Sequence, residues 1–242
     1  MTSPVALHLP GKVAVLSSAS PGSAAWIATA QPRLAFVKAL AWLDHEAGFA
    51  RPDGEPEIHP SVGMGSGVSI GRGVTIGEGS VLGHNIRIAD GVRIGKNCRI
   101  KSGSVIGEDG FGFEPDTDGT PLRMIHLGGV VIGDRVEIGS LNTVCQGTLG
   151  PTIVEDDVKT DDHVHIAHNC QIKRRTIITA GVVVAGGVTV GEAAWIACNA
   201  TILNGLTIGD RAFIGLGAVV IRDIPPRTTV VGNPGRPLDR GA

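Results

Sequence analysis

Asp161, Asp162, His163, His165 and His168 crowd into one short stretch, and imidazoles among carboxylates suit three kinds of chemistry. They bind a metal, they supply a general base that takes up a proton near neutral pH, or they form a solvated polar face. Spacing alone leaves all three open. Cys170 lies close to His168 but brings no convincing set of further ligands, and Cys98, Cys145, Cys170 and Cys198 contain no C-x-x-C pair. These thiols read as reduced and mostly buried.

The elements that must position this cluster come from a repeat. Ile58, Met64, Ile70, Ile76, Leu82, Ile88, Ile94, Ile100 and Ile106 fall six apart without a slip, and the next residue is usually small, as at Gly65, Gly71, Gly77 and Gly83. A period of six cannot hold one face of a helix with 3.6 residues per turn. Short strands joined by tight turns can use it, with the aliphatic pointing inward and the small residue easing the corner. The frame restarts at Ile132, Ile138 and Val144, then holds from Val154 to Val220, where only Thr160 spoils the aliphatic column. Residues 108–127 form a polar insertion, and a shorter one lies near 145–151.

Before the repeat, residues 13–16 read as a strand. Residues 32–45 read as an amphipathic helix with Leu34, Val37, Leu40 and Ala41 on one side. Three regions follow: a small α/β unit at 1–55, a repeat region at 56–224, and a tail at 225–242 in which no regular strand or helix is expected.

Composition narrows the function. The chain has 242 residues with 21 Lys+Arg against 23 Asp+Glu, a net charge of −2, so binding nucleic acid through counterion release is not expected. Glycine, 36 residues, has no every-third period and the chain is apolar, which argues against collagen and disorder. Aromatics are 3% with no Tyr, so the core must be aliphatic. No signal peptide and no long apolar run is evident, and a soluble cytoplasmic protein is expected.

The hexad resembles that of the hexapeptide-repeat acyltransferases over roughly residues 56–224. The resemblance implies an all-β fold, a left-handed parallel β-helix of triangular section with three hexads per coil. Residues 18 apart would then stack on successive coils about 4.8 Å apart. Gly186 lies one coil beyond His168 on that ruler, and base and oxyanion donor would face one cleft, the pairing acyl transfer needs.

Three stretches, Gly107-Glu108-Asp109-Gly110-Phe111-Gly112-Phe113, residues 131–139 and Ile166-Ala167-His168-Asn169, are similar to the UDP-3-O-acylglucosamine N-acyltransferases of lipid A synthesis and their nucleotide-sugar relatives. Pro32-Arg33-Leu34-Ala35-Phe36 resembles the end of that family's uridine-binding N-terminal unit. By this resemblance His168 is the general base, Asp161 seven residues earlier orients it, and the Gly186 N–H holds the oxyanion. No acyl-enzyme is needed, which leaves Cys170 as core.

The chain also departs from the family. The family's second histidine, which follows an Asn-Gly pair, has no counterpart in Leu203-Asn204-Gly205-Leu206, and its Asp-Arg-Gly is Cys145-Gln146-Gly147 here. Residues 231–237 resemble the tail of hexapeptide acetyltransferases that use acetyl-CoA.

The resulting expectation is a homotrimer with active sites between neighbouring subunits. It would transfer an acyl group, acetyl from acetyl-CoA, to the amine of a nucleotide-linked amino sugar, with no metal. Arg222, Arg227 and Arg236 would meet the CoA phosphates or stay solvated. Phe36, Phe111, His126 and Asn204 would bind substrate, Phe36 by stacking on a base, unless Phe111 anchors its loop and His126 is merely exposed.

Three alternatives stand beside it. One is lipid A chemistry with a 3-hydroxyacyl chain delivered by acyl carrier protein. The second is a γ-carbonic-anhydrase type metal enzyme using His163 and His168, and the third is a non-catalytic scaffold.

Overall fold

In the computed structural model, which describes residues 5–9, 12–17, 26–46 and 48–232, each hexad forms one side of a coil. Strands of two residues, or three at Val130–Ile132 and Thr152–Val154, stack into three parallel sheets of eight, nine and eight strands. Register is strict: Ile58 pairs with Ile76 and Ile76 with Ile94 on one side, and Ile166 with Val184, Val184 with Ile202 and Ile202 with Val220 on another. The result is a left-handed parallel β-helix. Each strand of the coil sends its last residue inward, and nearly all of these aliphatics are buried. Branched side chains suit this arrangement because identical neighbours stack above and below on a pleated surface.

Thr160 keeps its place in the core because its hydroxyl is bonded. Its Oγ1 accepts from Asn142 Nδ2 at 2.7 Å and from the Gly139 N–H at 3.2 Å, while Asn142 Oδ1 accepts from the Val164 N–H at 2.8 Å. Buried polar groups cost little when paired in this way.

Both interruptions lie between strands without breaking register. Contacts between successive coils usually join residues 18 apart; across the first insertion the interval is 38, and across the second it is 22. The first carries a hairpin of its own, Phe113–Pro115 against Pro121–Arg123.

That hairpin, residues 111–125, groups with residues 1–50 as one compact unit, while 51–110 and 126–242 make the other. The first unit holds strands Val5–Leu9, Lys12–Ser17 and Trp26–Ala28 in one sheet and the helix Pro32–Glu46. Pro32 suits the first helical turn, where its missing N–H has no partner to lose. Gly48, at φ 68°, returns its N–H to Leu43 O at 3.1 Å and closes the helix. Arg33 pairs with Glu114 at 2.5 Å and Lys38 with Asp116 at 2.6 Å, tying hairpin to helix.

Three expectations need correction. The buried face of the helix is Pro32, Leu34, Phe36, Val37 and Leu40, and Ala41 is exposed. Phe36 is 7% exposed and clusters with Leu40 and Phe49, so its ring is core and offers no free face for a base. The expected irregular tail contains a strand: Thr229–Val230 pairs with Phe213–Ile214, and Ile224 bridges Ile208, because inward aliphatics still fall at the right places. Residues 233–242, including Arg236 and most of the tail motif, lie outside the described residues. No helix among the described residues is long and apolar enough to cross a membrane.

Candidate active site

His168 sits in the turn that follows strand His165–Ile166, and Asn169 behind it takes φ 61°, the left-handed conformation that asparagine tolerates. Asn169 staples this turn to the second insertion. Its Oδ1 accepts from the Thr148 N–H and Oγ1, both at 3.1 Å, its Nδ2 donates to Gly150 O at 3.0 Å, and its own N–H reaches Thr152 Oγ1 at 2.8 Å. A backbone N–H only donates, so the atom facing Thr148 is the amide oxygen. The same oxygen lies 3.1 Å from His168 Nδ1. Nδ1 must therefore carry the hydrogen and donate it, and in the neutral ring the lone pair falls on Nε2. That is the protonation state a base requires.

Gly186, one coil on, makes room for the ring. A Cβ at that position would lie 2.5 Å from both Cε1 and Nε2 of His168, and Gly186 has no left-handed φ to account for the glycine otherwise. Its N–H donates to no acceptor among the described residues, as an oxyanion donor must. Gly110, at the root of the first insertion, is a second such glycine: a Cβ there would lie 2.9 Å from His168 Cβ and Cδ2 and 3.1 Å from His126 Nε2.

His126, expected to line the acceptor site or to be merely exposed, is 2% exposed and meets the His168 ring edge-on, with centroids 5.5 Å apart. It backs His168. His165 is half-buried with Nδ1 2.5 Å from Thr143 Oγ1, and burial first, then the neighbouring His168, hold its pKa below the ordinary histidine value. Cys170 is fully buried, its Sγ is 3.2 Å from Ala185 O, and burial pushes its thiol up to about 11, which makes it core and a poor nucleophile.

The other expected site residues divide by corner. His168, Gly186, Asn204 and Arg222 occupy the same offset on successive coils, since His165, Val183, Thr201 and Val219 pair in series. Asn204 and Arg222 are exposed along that line. Arg227 belongs to another corner, where its N–H bonds Asp210 O. Phe111 is 89% exposed and tilts against Phe113, centroids 4.9 Å apart, so it presents its ring to solvent instead of anchoring its loop.

Asp161 does not orient His168 within one chain. It follows strand Lys159–Thr160 of the nine-stranded sheet, one corner earlier, and its carboxylate bonds nothing among the described residues. His163 lies at that corner too, away from His168. Among the described residues, no group of three or more His, Cys, Asp or Glu is placed to hold a metal ion.

Asn169, Gly110 and Gln146 belong to the site although the sequence gives none of them a role. Gln146 donates to Asp109 Oδ1 at 2.9 Å and accepts from the Gly129 N–H at 3.3 Å, fastening the roots of the first insertion. All three stand inside stretches that carry the family resemblance or depart from it, residues 107–113, 145–147 and 166–169, and that membership is their signal in the sequence.

The family model described as bacterial transferase hexapeptide (six repeats) matches residues 74–108 and 151–186. The UDP-3-O-acylglucosamine N-acyltransferase of Chlorobium chlorochromatii is 49% identical over 88 residues, 36% of this chain and 24% of the relative. That of Helicobacter hepaticus is 32% identical over 133 residues, 55% of this chain and 41% of the relative. The chain thus spans about a quarter to two-fifths of these relatives' length. Among solved structures, the UDP-N-acetylglucosamine acyltransferase of Francisella novicida superposes with a TM-score of 0.64 at 30% identity, covering 74% of this chain and 66% of that one. The repeat, the three-sided coil and these matches make the chain a hexapeptide-repeat left-handed β-helix protein similar to the UDP-sugar acyltransferases.

Proposed function

We propose that the chain is an N-acyltransferase that moves an acyl group, acetyl from acetyl-CoA, to the amine of a nucleotide-linked amino sugar. The observation that carries this reading is the His168 imidazole, whose Nδ1–H is committed to Asn169 Oδ1 and whose Nε2 lies against Gly186. The substrate amine attacks the thioester carbonyl as Nε2 removes its proton, forming the C–N bond. The Gly186 N–H takes the negative charge that develops on the carbonyl oxygen. The C–S bond then breaks, and the imidazolium returns the proton to the leaving thiolate.

The corner column supports a donor lying along the helix axis. Arg222 stands three coils from His168, roughly 14 Å at the spacing of stacked strands, and a guanidinium there suits the phosphates at the far end of a pantetheine arm. Asp161 reaches a His168 only from a neighbouring copy, the role the proposed homotrimer gives it. The names of the relatives favour a UDP-linked sugar as acceptor.

A second reading is transfer of a 3-hydroxyacyl chain from acyl carrier protein to UDP-3-O-acylglucosamine. The activity named for the Chlorobium and Helicobacter relatives favours it. Calorimetry with acetyl-CoA, a long 3-hydroxyacyl-CoA and acylated carrier protein on one preparation decides between them. Tight acetyl-CoA binding is expected; binding of the acylated carrier protein alone would overturn the first reading in favour of the second.

A further inference from the structure

Two imidazoles and two glycines meet at the His168 corner, and the proposed transfer gives His126 no part. His126 is 2% exposed, its ring stands at 67° to that of His168, and its centroid is 5.5 Å away. Gly110 lies against both rings, where any Cβ would crowd them. Gly110 has no left-handed φ, so close approach is the reason for its missing side chain.

A hydrogen bond at Nδ1 alone does not fix an imidazole, because the second side-chain torsion of histidine is broad and the ring can rock about that bond. Flat contacts on the ring are needed to hold Nε2 in one direction. We infer that His126 is a positioning residue: its edge-on ring, together with Gly110 and Gly186, holds the plane of His168 and thereby aims the Nε2 lone pair. This rests on the reading of His168 as the base. His126 is buried, so it acts through His168 and does not touch the substrate. The contact is of the tilted aromatic kind that rings prefer over a flat stack, and misplacing a reacting atom by about 1 Å is enough to cost roughly a hundredfold in rate.

The test uses the full chain with His126→Ala, His126→Phe and Gly110→Ala. It measures turnover together with the imidazole 15N shifts of His168 in the absence of substrates. His126→Ala is expected to lower kcat by roughly ten- to a hundredfold with KM for both substrates unchanged. The His168 shifts should move from a single tautomer toward an average. His126→Phe restores a ring and most of the rate. Gly110→Ala, which disturbs the same contact from the other side, should repeat the loss and serves if His126→Ala does not fold.

A raised KM with kcat intact would overturn the inference by showing direct substrate contact. A phenylalanine variant as poor as alanine would overturn it by showing that a ring nitrogen is required. If the wild type transfers no acyl group, the proposed function fails but the 15N shifts still decide: unchanged shifts in His126→Ala refute the positioning role.

Discussion

Gly186→Ala puts a methyl group where the His168 ring now lies. The added Cβ would stand 2.5 Å from Cε1 and Nε2, against about 3.5–4.0 Å for relaxed contact between heavy atoms, so the ring must move by about 1 Å or more. The ring is only half-buried and can yield, which places the stability cost toward the low end of the ~1–3 kcal/mol typical of overpacking. At about 2–4 °C per kcal/mol for a chain of this size, the melting temperature falls by a few degrees. Activity suffers far more. A displacement of ~1 Å at the base costs roughly a hundredfold in kcat, equivalent to about 2.7 kcal/mol on the barrier. The assay is steady-state acyl transfer with the melting temperature measured on the same samples. Gly54→Ala, a position with open space and ordinary φ, is the control expected to match wild type. A Gly186→Ala enzyme with kcat within threefold of wild type would refute the argument, because it would mean that the position of the ring is immaterial.

Three more outcomes are expected. Asp161→Ala and His168→Ala chains, each inactive alone, should regain about one quarter of wild-type activity when randomly mixed in equal amounts, since in a ring of identical contacts each site draws the two residues from different copies; a mixture that stays inactive would exclude the shared site. Arg222→Ala should raise KM for the CoA donor about tenfold with kcat unchanged, a loss of about 1.4 kcal/mol that falls just below the ~1.5–3 kcal/mol of a charged hydrogen bond, as suits an exposed contact, whereas an unchanged KM would return Arg222 to the solvated surface. His165 has a folded pKa below its unfolded value, so the unfolded chain binds more protons as pH falls below about 6.5 and stability is lost on the acid side. His165→Gln should flatten the fall in melting temperature between pH 7.5 and 5.5, and an equal fall in both proteins would assign the loss to other groups.

The coil was legible because it depends on one inward position in six, and an interrupted column such as Ile106 to Ile132 only lengthens one loop. Thr160 read as a flaw because its partner Asn142 is 18 residues away and pairs with it only once the coils stack. The motif exposed His168, whereas Asn169 acquires its role only when residues 148–150 fold back on it. The family resemblance pairs Asp161 with His168, and because a coil turns a corner between them the pairing needs a second copy, which one sequence does not display. Phe36 fitted a motif, but the aliphatic helix needed its ring for a core. Strand Thr229–Val230 follows two prolines, and its pairing with Phe213–Ile214 outweighs that local signal.

The proposed transfer stands on His168 acting as its base. Its most direct test is the release of free CoA thiol from acetyl-CoA on addition of a UDP-linked amino sugar, compared between wild type and His168→Ala at matched melting temperature. Amine-dependent release by the wild type is expected, with a loss of at least roughly a hundredfold in the variant, the scale of general base catalysis. Equal release by both proteins would contradict it.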